Sequence, residues 1–519
     1  MIRNKRVRIA IAGCCTAFLL AACESNGTTE SGSSAATGKP VTGGTLRAVE
    51  ISEPRNLDPA LLQNTLQGTA FLGNALYGTL MVTDQKTGAI EYRMATGFSS
   101  EDGGTTFTLT LRKGLKFSDG TALDAAAVKY NWDRIKDPGL GSDSQPYASV
   151  VKSTKVVDAT TLEVTLNRPT PLYGEQVVTT AMNWIASPAA LKKGKNSFDA
   201  RPIGAGPFTL RSWTRGGALS LVRNPSYYDA PKPYLDGITL TTATDAQQRV
   251  NTLTSGGADL GVETDWEAVG KDRAAGLTVT TVPSGGGRFL TLNTKRAPFN
   301  DVRARQAVSE ALDVDALNSA VYEGKAETAA GLFPKNSPYY NDIALHTYNK
   351  QAAQKLFDQL AADGKPVTFT FTTFPTDKAL AEAVQAQLSA YKNVTVKINT
   401  VDWSESGKVY GQKQYDMLTS TAFFLDPEPA LSAAFSGKSP RNASFIADAQ
   451  LDAALQKGSS ATSEKDRAAA YRTVSERLAA LDPAILIART AQAAVTKKVG
   501  GVVLDGSGSP LPAELWLTK

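Results

Sequence analysis

The sequence predicts a mixed chain, α/β or α+β throughout, with about three domain-sized units. Apolar and polar residues alternate in Phe107-Thr108-Leu109-Thr110-Leu111 and in Leu162-Glu163-Val164-Thr165-Leu166. The same alternation recurs in Val367-Thr368-Phe369-Thr370-Phe371 and Val394-Thr395-Val396-Lys397-Ile398. A period of two is the mark of a half-buried strand. Between the last two, Leu380, Val384, Leu388 and Tyr391 fall at helical spacing, so residues 367–398 read as β-α-β. At roughly 150 residues per domain, the 519 residues correspond to about three units. No repeat with a period of about 20–50 residues is present, which excludes solenoids and propellers.

The first element is an export signal. Arg3, Lys5, Arg6 and Arg8 form a basic start without acids, and residues 9–22 carry no charge. As a helix this apolar run reaches about 21 Å, short of the ~30 Å core of a bilayer. No Arg-Arg pair is present, which favours the general export route over the twin-arginine one. The run ends Leu20-Ala21-Ala22-Cys23, which resembles the bacterial lipobox. Residues 1–22 are then a signal peptide, and Cys23 becomes the lipidated first residue of the mature chain. Residues 23–43 form a flexible tether, since their Gly, Ser, Thr and Ala cannot bury enough apolar surface to order themselves. Cleavage removes Cys14 and Cys15, so no free thiol is left, which suits an oxidising exterior. It also removes four of the five excess positive charges. The mature chain is nearly neutral, and no basic patch argues for nucleic acid.

Downstream, helices read at 122–136, 301–313, 350–362 and 464–481. Gly114 suggests a turn joining the strand at 107–112 to Leu115-Lys116-Phe117, and Asn300-Asp301 supplies an N-cap for the helix that follows. Pro and Gly cluster at 201–207, 216–237 and 255–261, which read as loop-rich crossovers.

The composition limits the chemistry. With 42% hydrophobic and 20% charged residues, the chain is neither disordered nor a polytopic membrane protein. Its one histidine, His346, reads as a polar loop residue. One imidazole excludes multi-histidine zinc sites and the metalloproteases that need two on one helix. No Gly-x-Ser-x-Gly elbow, Walker A loop or EF-hand loop occurs. Gly204-Ala205-Gly206 is followed by Pro207 and reads as a backbone turn. Nothing singles out a carboxylate pair among the 50 acids. Enzymatic activity is therefore the weaker class, and no cofactor or metal site is indicated.

Several segments resemble the family 5 extracellular solute-binding proteins, which serve ABC importers of oligopeptides, dipeptides and nickel. They are Gly43-Gly44-Thr45-Leu46-Arg47, Leu57-Asp58-Pro59, Leu76-Tyr77-Gly78-Thr79-Leu80, and the block from Asp102 through Gly120. Further matches are Pro202 to Phe208 with Trp213, Leu253 to Asp259, Leu290 to Thr294, and Pro298 to Ala307. One departure is Ala127, where the family usually has Asp before Val128.

The resemblance implies a two-lobed periplasmic-binding-protein-like fold of type II, cluster C. Lobe I would take 44–290, with an extra subdomain at about 82–200. Lobe II would take 291–484, and residues 485–519 would return to lobe I. The hinge strands would lie near Arg288 to Leu292 and Ile485 to Ala488. The implied function is a lipid-anchored, monomeric receptor on the outer face of the cell membrane. It would trap a peptide or peptide-like small solute between its lobes and deliver it to an ABC permease and ATPase. The alternatives are a metal-chelate or other non-peptide receptor, a signalling receptor, or a hydrolase on the same fold.

Thr421 through Ala430 aligns with the binding loop of the peptide binders, and Phe423 stands where their Asp holds the peptide ammonium. A buried cation needs a fixed anion; Phe423 offers only a ring face. Phe423 and Phe424 are either ligand surface or core, and Asp426 or Glu428 is the alternative anchor. Arg288 either reaches a ligand carboxylate or is a surface residue, and Trp403 either stacks on ligand or is core. Asn64 and Thr421 complete the candidate ligand-binding set.

Overall fold

The computed structural model describes residues 38–84 and 87–518. The export segment, Cys23 and most of the tether lie outside the described residues. Two sheets organise the rest. The first has seven strands in the order Thr278–Thr281, Ala493–Thr496, Leu260–Glu263, Thr45–Glu50, Gly237–Thr242, Leu219–Arg223 and Phe208–Trp213. Thr45–Glu50 runs parallel to both of its neighbours. Four of its six residues are buried, as expected for a strand covered on both faces.

The second sheet has five strands in the order Val394–Thr400, Val367–Thr373, Met417–Phe424, Gly285–Leu292 and Ala484–Ala488. The β-α-β unit read from sequence forms one edge of it. Val367–Thr373 and Val394–Thr400 pair in parallel, joined through helix Lys378–Leu388. Leu380, Val384 and Leu388 supply that helix's buried face.

A four-stranded antiparallel sheet, Ala95–Ser99, Thr106–Leu111, Thr161–Leu166 and Val151–Val156, occupies the region expected to be a subdomain. Phe107, Leu109 and Leu111 point to one face, as do Leu162, Val164 and Leu166. They share one core with helix Ala125–Ile135 and with the seven-stranded sheet. Phe98 packs on Phe107 with ring centroids 4.9 Å apart, and edge-on against the buried Trp132.

The chain passes between the two large sheets twice, at 282–284 and at 489–492. The two passages are bonded to each other, Val282 N donating to Gln492 O at 3.1 Å. The change of sheet thus falls several residues before position 290. Residues 285–290 already belong to the five-stranded sheet, because Gly285 and Gly286 pair with Phe424 and Phe423. Likewise 485–488 lie within that sheet, and the second passage follows them.

The turn expected at Gly114 leads into Leu115-Lys116-Phe117, where Phe117 N bonds Thr121 O and Lys116 bridges Ala122. One local expectation shifts. The helix expected at 301–313 ends at Ala311, because Asp313 caps the next helix, Val314–Tyr322, through Ala316 N. Asp301 caps the first of these through Arg303 N. His346 sits in a loop, its Nδ1 3.3 Å from Ser309 Oγ.

Candidate functional site

The two passages border a cavity of about 390 Å³. Asn64, Tyr147 and Glu175 line it from the side of the seven-stranded sheet, and Thr421 to Asp426 and Glu428 from the five-stranded one. Ser284 and Gln492 come from the passages themselves, and Gly506 and Ser507 from a C-terminal loop. That loop is fixed by buried Asp505, which accepts from Asn74 Nδ2 at 2.8 Å and from the backbone of Ser507 and Ser509. The volume lies at the low end of the ~300–1,000 Å³ usual for ligand pockets.

Unpartnered polar atoms mark this cavity. Asn64 is 9% exposed and donates through Nδ2 to the carbonyls of Val178 and Thr180, at 3.1 and 3.2 Å. Both neighbours being acceptors, the amide orientation is fixed and Oδ1 is left without a partner. Glu428 Oε1, Gln492 Oε1 and Ser284 Oγ are in the same position, on residues 8%, 3% and 5% exposed. Leaving a buried acceptor unsatisfied costs about 1–3 kcal/mol. Two amide oxygens, a carboxyl oxygen that a cation would ionise and a hydroxyl thus face one cavity, a set that suits a ligand carrying N–H donors.

The charges are divided unequally. Asp426 accepts from Arg467 Nη2 through both carboxylate oxygens, each at 2.7 Å. Arg467 also bonds the Tyr339 hydroxyl and lies over the Tyr339 ring, 4.7 Å from its centroid. Asp426 is thus neutralised. Glu428 and Glu175 form no ion pair among the described residues. Burial pushes each carboxyl up to about 8, with the negative charge of Asp426 adding to the rise and Arg467 opposing it. Arg441, exposed at the cavity's edge, forms no ion pair among the described residues.

The other residues singled out by sequence divide as follows. Phe423 is half-buried and Thr421 exposed, both on the cavity wall. Phe424 is buried, packs edge-on against Phe333 at 5.7 Å, and shows one side to the cavity. Arg288 does not line it; its guanidinium is paired with Asp377, which also accepts from Thr419 Oγ1. The Trp403 side chain lies outside the described residues. Sequence reasoning missed Glu175, Ser284, Arg441, Arg467 and Gln492. Arg467 left a signal, since it shares a helical face with Ala470, Tyr471, Val474 and Leu478, and a lone cation on an apolar stripe needs a buried anion.

Two sheets joined by two short passages, with such a cavity beside the passages, define a two-lobed binding protein of periplasmic type. The chain belongs to the bacterial extracellular solute-binding proteins, family 5, whose middle region matches residues 89–442. It is 28% identical over 365 residues to the glutathione-binding protein GsiB of Salmonella paratyphi A, covering 69% of this chain and 70% of that one. Among solved structures it is similar to the oligopeptide-binding protein AppA of Bacillus subtilis, in complex with a nonapeptide. The TM-score is 0.73 at 21% identity, over 93% of this chain and 100% of that one. NikA of Brucella suis, in complex with Fe(III)-EDTA, gives 0.76 at 25% identity, over 91% and 99%. Among the described residues no helix is long and apolar enough to cross a membrane.

Proposed function

We propose that this protein is the receptor of an ABC importer, held to the outer face of the cell membrane through lipidated Cys23, and that it captures a short peptide or peptide-like solute. The observation that carries the ligand reading is the set of buried, unpartnered acceptors around the 390 Å³ cavity. A peptide brings an ammonium and amide N–H groups to them. Glu428 takes the ammonium, replacing the anion that Phe423 cannot supply, while Asn64 Oδ1 and Gln492 Oε1 accept amide protons. Arg441 meets the carboxylate. The similarity to glutathione- and peptide-binding proteins supports the same reading. An anionic chelate such as the one held by NikA fits less well, because it brings neither a cation nor amide N–H groups to Glu428, Asn64 and Gln492. Ligand binding draws the lobes together only through contacts made in the closed state, and the motion would be absorbed at 282–284 and 489–492.

Native mass spectrometry of the chain from residue 24, purified without added ligand, tests the solute. The denatured mass of the membrane-extracted whole chain tests the lipid. A retained mass matching a short peptide, and a diacylglyceryl adduct on Cys23, are expected. A retained metal chelate, or no binding of any peptide from a di- and tripeptide mixture, would overturn the peptide reading.

A further inference from the structure

Beyond the 390 Å³ cavity, past Phe424, Leu425 and Asp426, lies a second compartment of about 240 Å³. The two share Glu175, Phe424, Leu425 and Asp426 in their walls. The outer compartment is also lined by Gly88, Pro283, Tyr339, Glu464 and Arg467. Its charge is lopsided. Arg467 is occupied by both oxygens of Asp426 and by Tyr339, so its cation is already spent. Glu175 and Glu464 have no ion-pair partner among the described residues. On the inner side, Glu428 is buried with Oε1 unpartnered. One α-ammonium at Glu428 leaves Glu175 without a cationic partner, and a second cation beside it would favour its carboxylate form and pair with it.

We infer that the solute carries a second cation, a basic side chain that passes Glu175 and extends into the outer compartment. The inference rests on the peptide reading and narrows it to basic peptides. The walls suit such a chain. Phe424 and Leu425 offer apolar surface to the methylene stem, Glu175 meets the head as it enters, and exposed Glu464 stands in the same wall. Tyr339, held by Arg467, supplies an aromatic edge.

The test is calorimetric titration of the chain from residue 24 with six tripeptides. Three are alanine tripeptides with lysine at the first, second or third position. Three carry norleucine there, which keeps the stem and removes the charge. At one position lysine should bind about tenfold tighter than norleucine, a difference of the size expected for a partly desolvated ion pair. Glu175→Gln should reduce that ratio to under about threefold; its melting temperature checks that it folds. Equal affinities for lysyl and norleucyl peptides in the unaltered protein, or an undiminished ratio in Glu175→Gln, would overturn the inference and leave the peptide reading standing. Binding of none of the six would overturn both.

Discussion

Glu428 stands two residues beyond Asp426, and the difference between them decides which can hold an ammonium. Asp426 is matched by Arg467 at 2.7 Å through both oxygens, whereas Glu428 Oε1 has no partner. An empty site keeps Glu428 largely protonated near neutrality, because burial raises it to about 8. A cation binds the carboxylate form, so binding at pH 7 must expel a proton. Affinity for a cationic peptide should rise from pH 6 towards 8, then fall as the peptide's own α-amino group, near ~7.7–8.0, loses its proton. Glu175, likewise raised to about 8, adds to the release when the ligand is basic. Titration in buffers of different ionisation heats should show about one to two protons released per ligand, and fewer in Glu428→Gln. Heats identical in every buffer would sink this assignment of the anchor. The loop carrying Glu428 was visible in the sequence, but the commitment of Asp426 was not. Its partner lies 41 positions away on another element.

The strand Gly285–Leu292 lies between two others of the five-stranded sheet, pairing with Met417–Phe424 on one side and Ala484–Ala488 on the other. It opens Gly285-Gly286-Gly287, an odd start for a central strand. The reason is space. Gly286 has φ +67°, and a Cβ there would lie 2.0 Å from Ala422 O; at Gly287 it would lie 2.1 Å from Ala488 O. Arg489 then satisfies the buried carbonyl, its Nη1 donating to Gly286 O at 2.7 Å. Gly286→Ala should destabilise the fold by about 2–3 kcal/mol, in the upper part of the usual range for single changes. Gly276→Ala, where φ is also positive but nothing lies within 4 Å, should lose only the backbone strain of roughly 1–2 kcal/mol. Equal losses in urea melts of the two variants would contradict the steric account. Such crowding is illegible from sequence, whereas periodic elements were read closely. Thr106–Leu111, Thr161–Leu166, Lys350–Ala362 and Glu464–Leu481 fall where alternation or helical spacing put them. Helix Ala70–Tyr77 was seen only as a family motif, because all eight of its residues are buried and no face stays polar.

Carboxylates of opposite character set how the whole molecule responds to pH. Asp102 is lowered to about 2 by hydrogen bonds from Thr106, Ser100 and Thr105, and Asp448 is lowered by Arg477 and helix-cap bonds. Their contribution is present above the unfolded value near ~4 and is lost as pH falls through the folded value. The buried acids act in the other direction. Burial raises Glu50 to about 8, Asp272 to about 6 and Asp482 to about 7, with too little compensation from nearby arginines. Arg249, the cation beside Glu50 and Asp272, is bound at 2.9 and 2.6 Å to Glu263 instead. Both Asp272 oxygens and Glu50 Oε1 are unpartnered. The native state holds these protons where the unfolded chain has released them, so their contribution is full below about 4 and is lost as pH climbs through about 6 to 8. The melting temperature should therefore peak near pH 5 and decline towards pH 9, the loss being on the order of a few kcal/mol. Glu50→Gln removes one buried ionisable group without changing shape, and should flatten the alkaline side while leaving the pH 5 value within about 1 kcal/mol. An alkaline decline equally steep in that variant would show that Glu50 ionises without cost, and that the strand end where it sits is open to water.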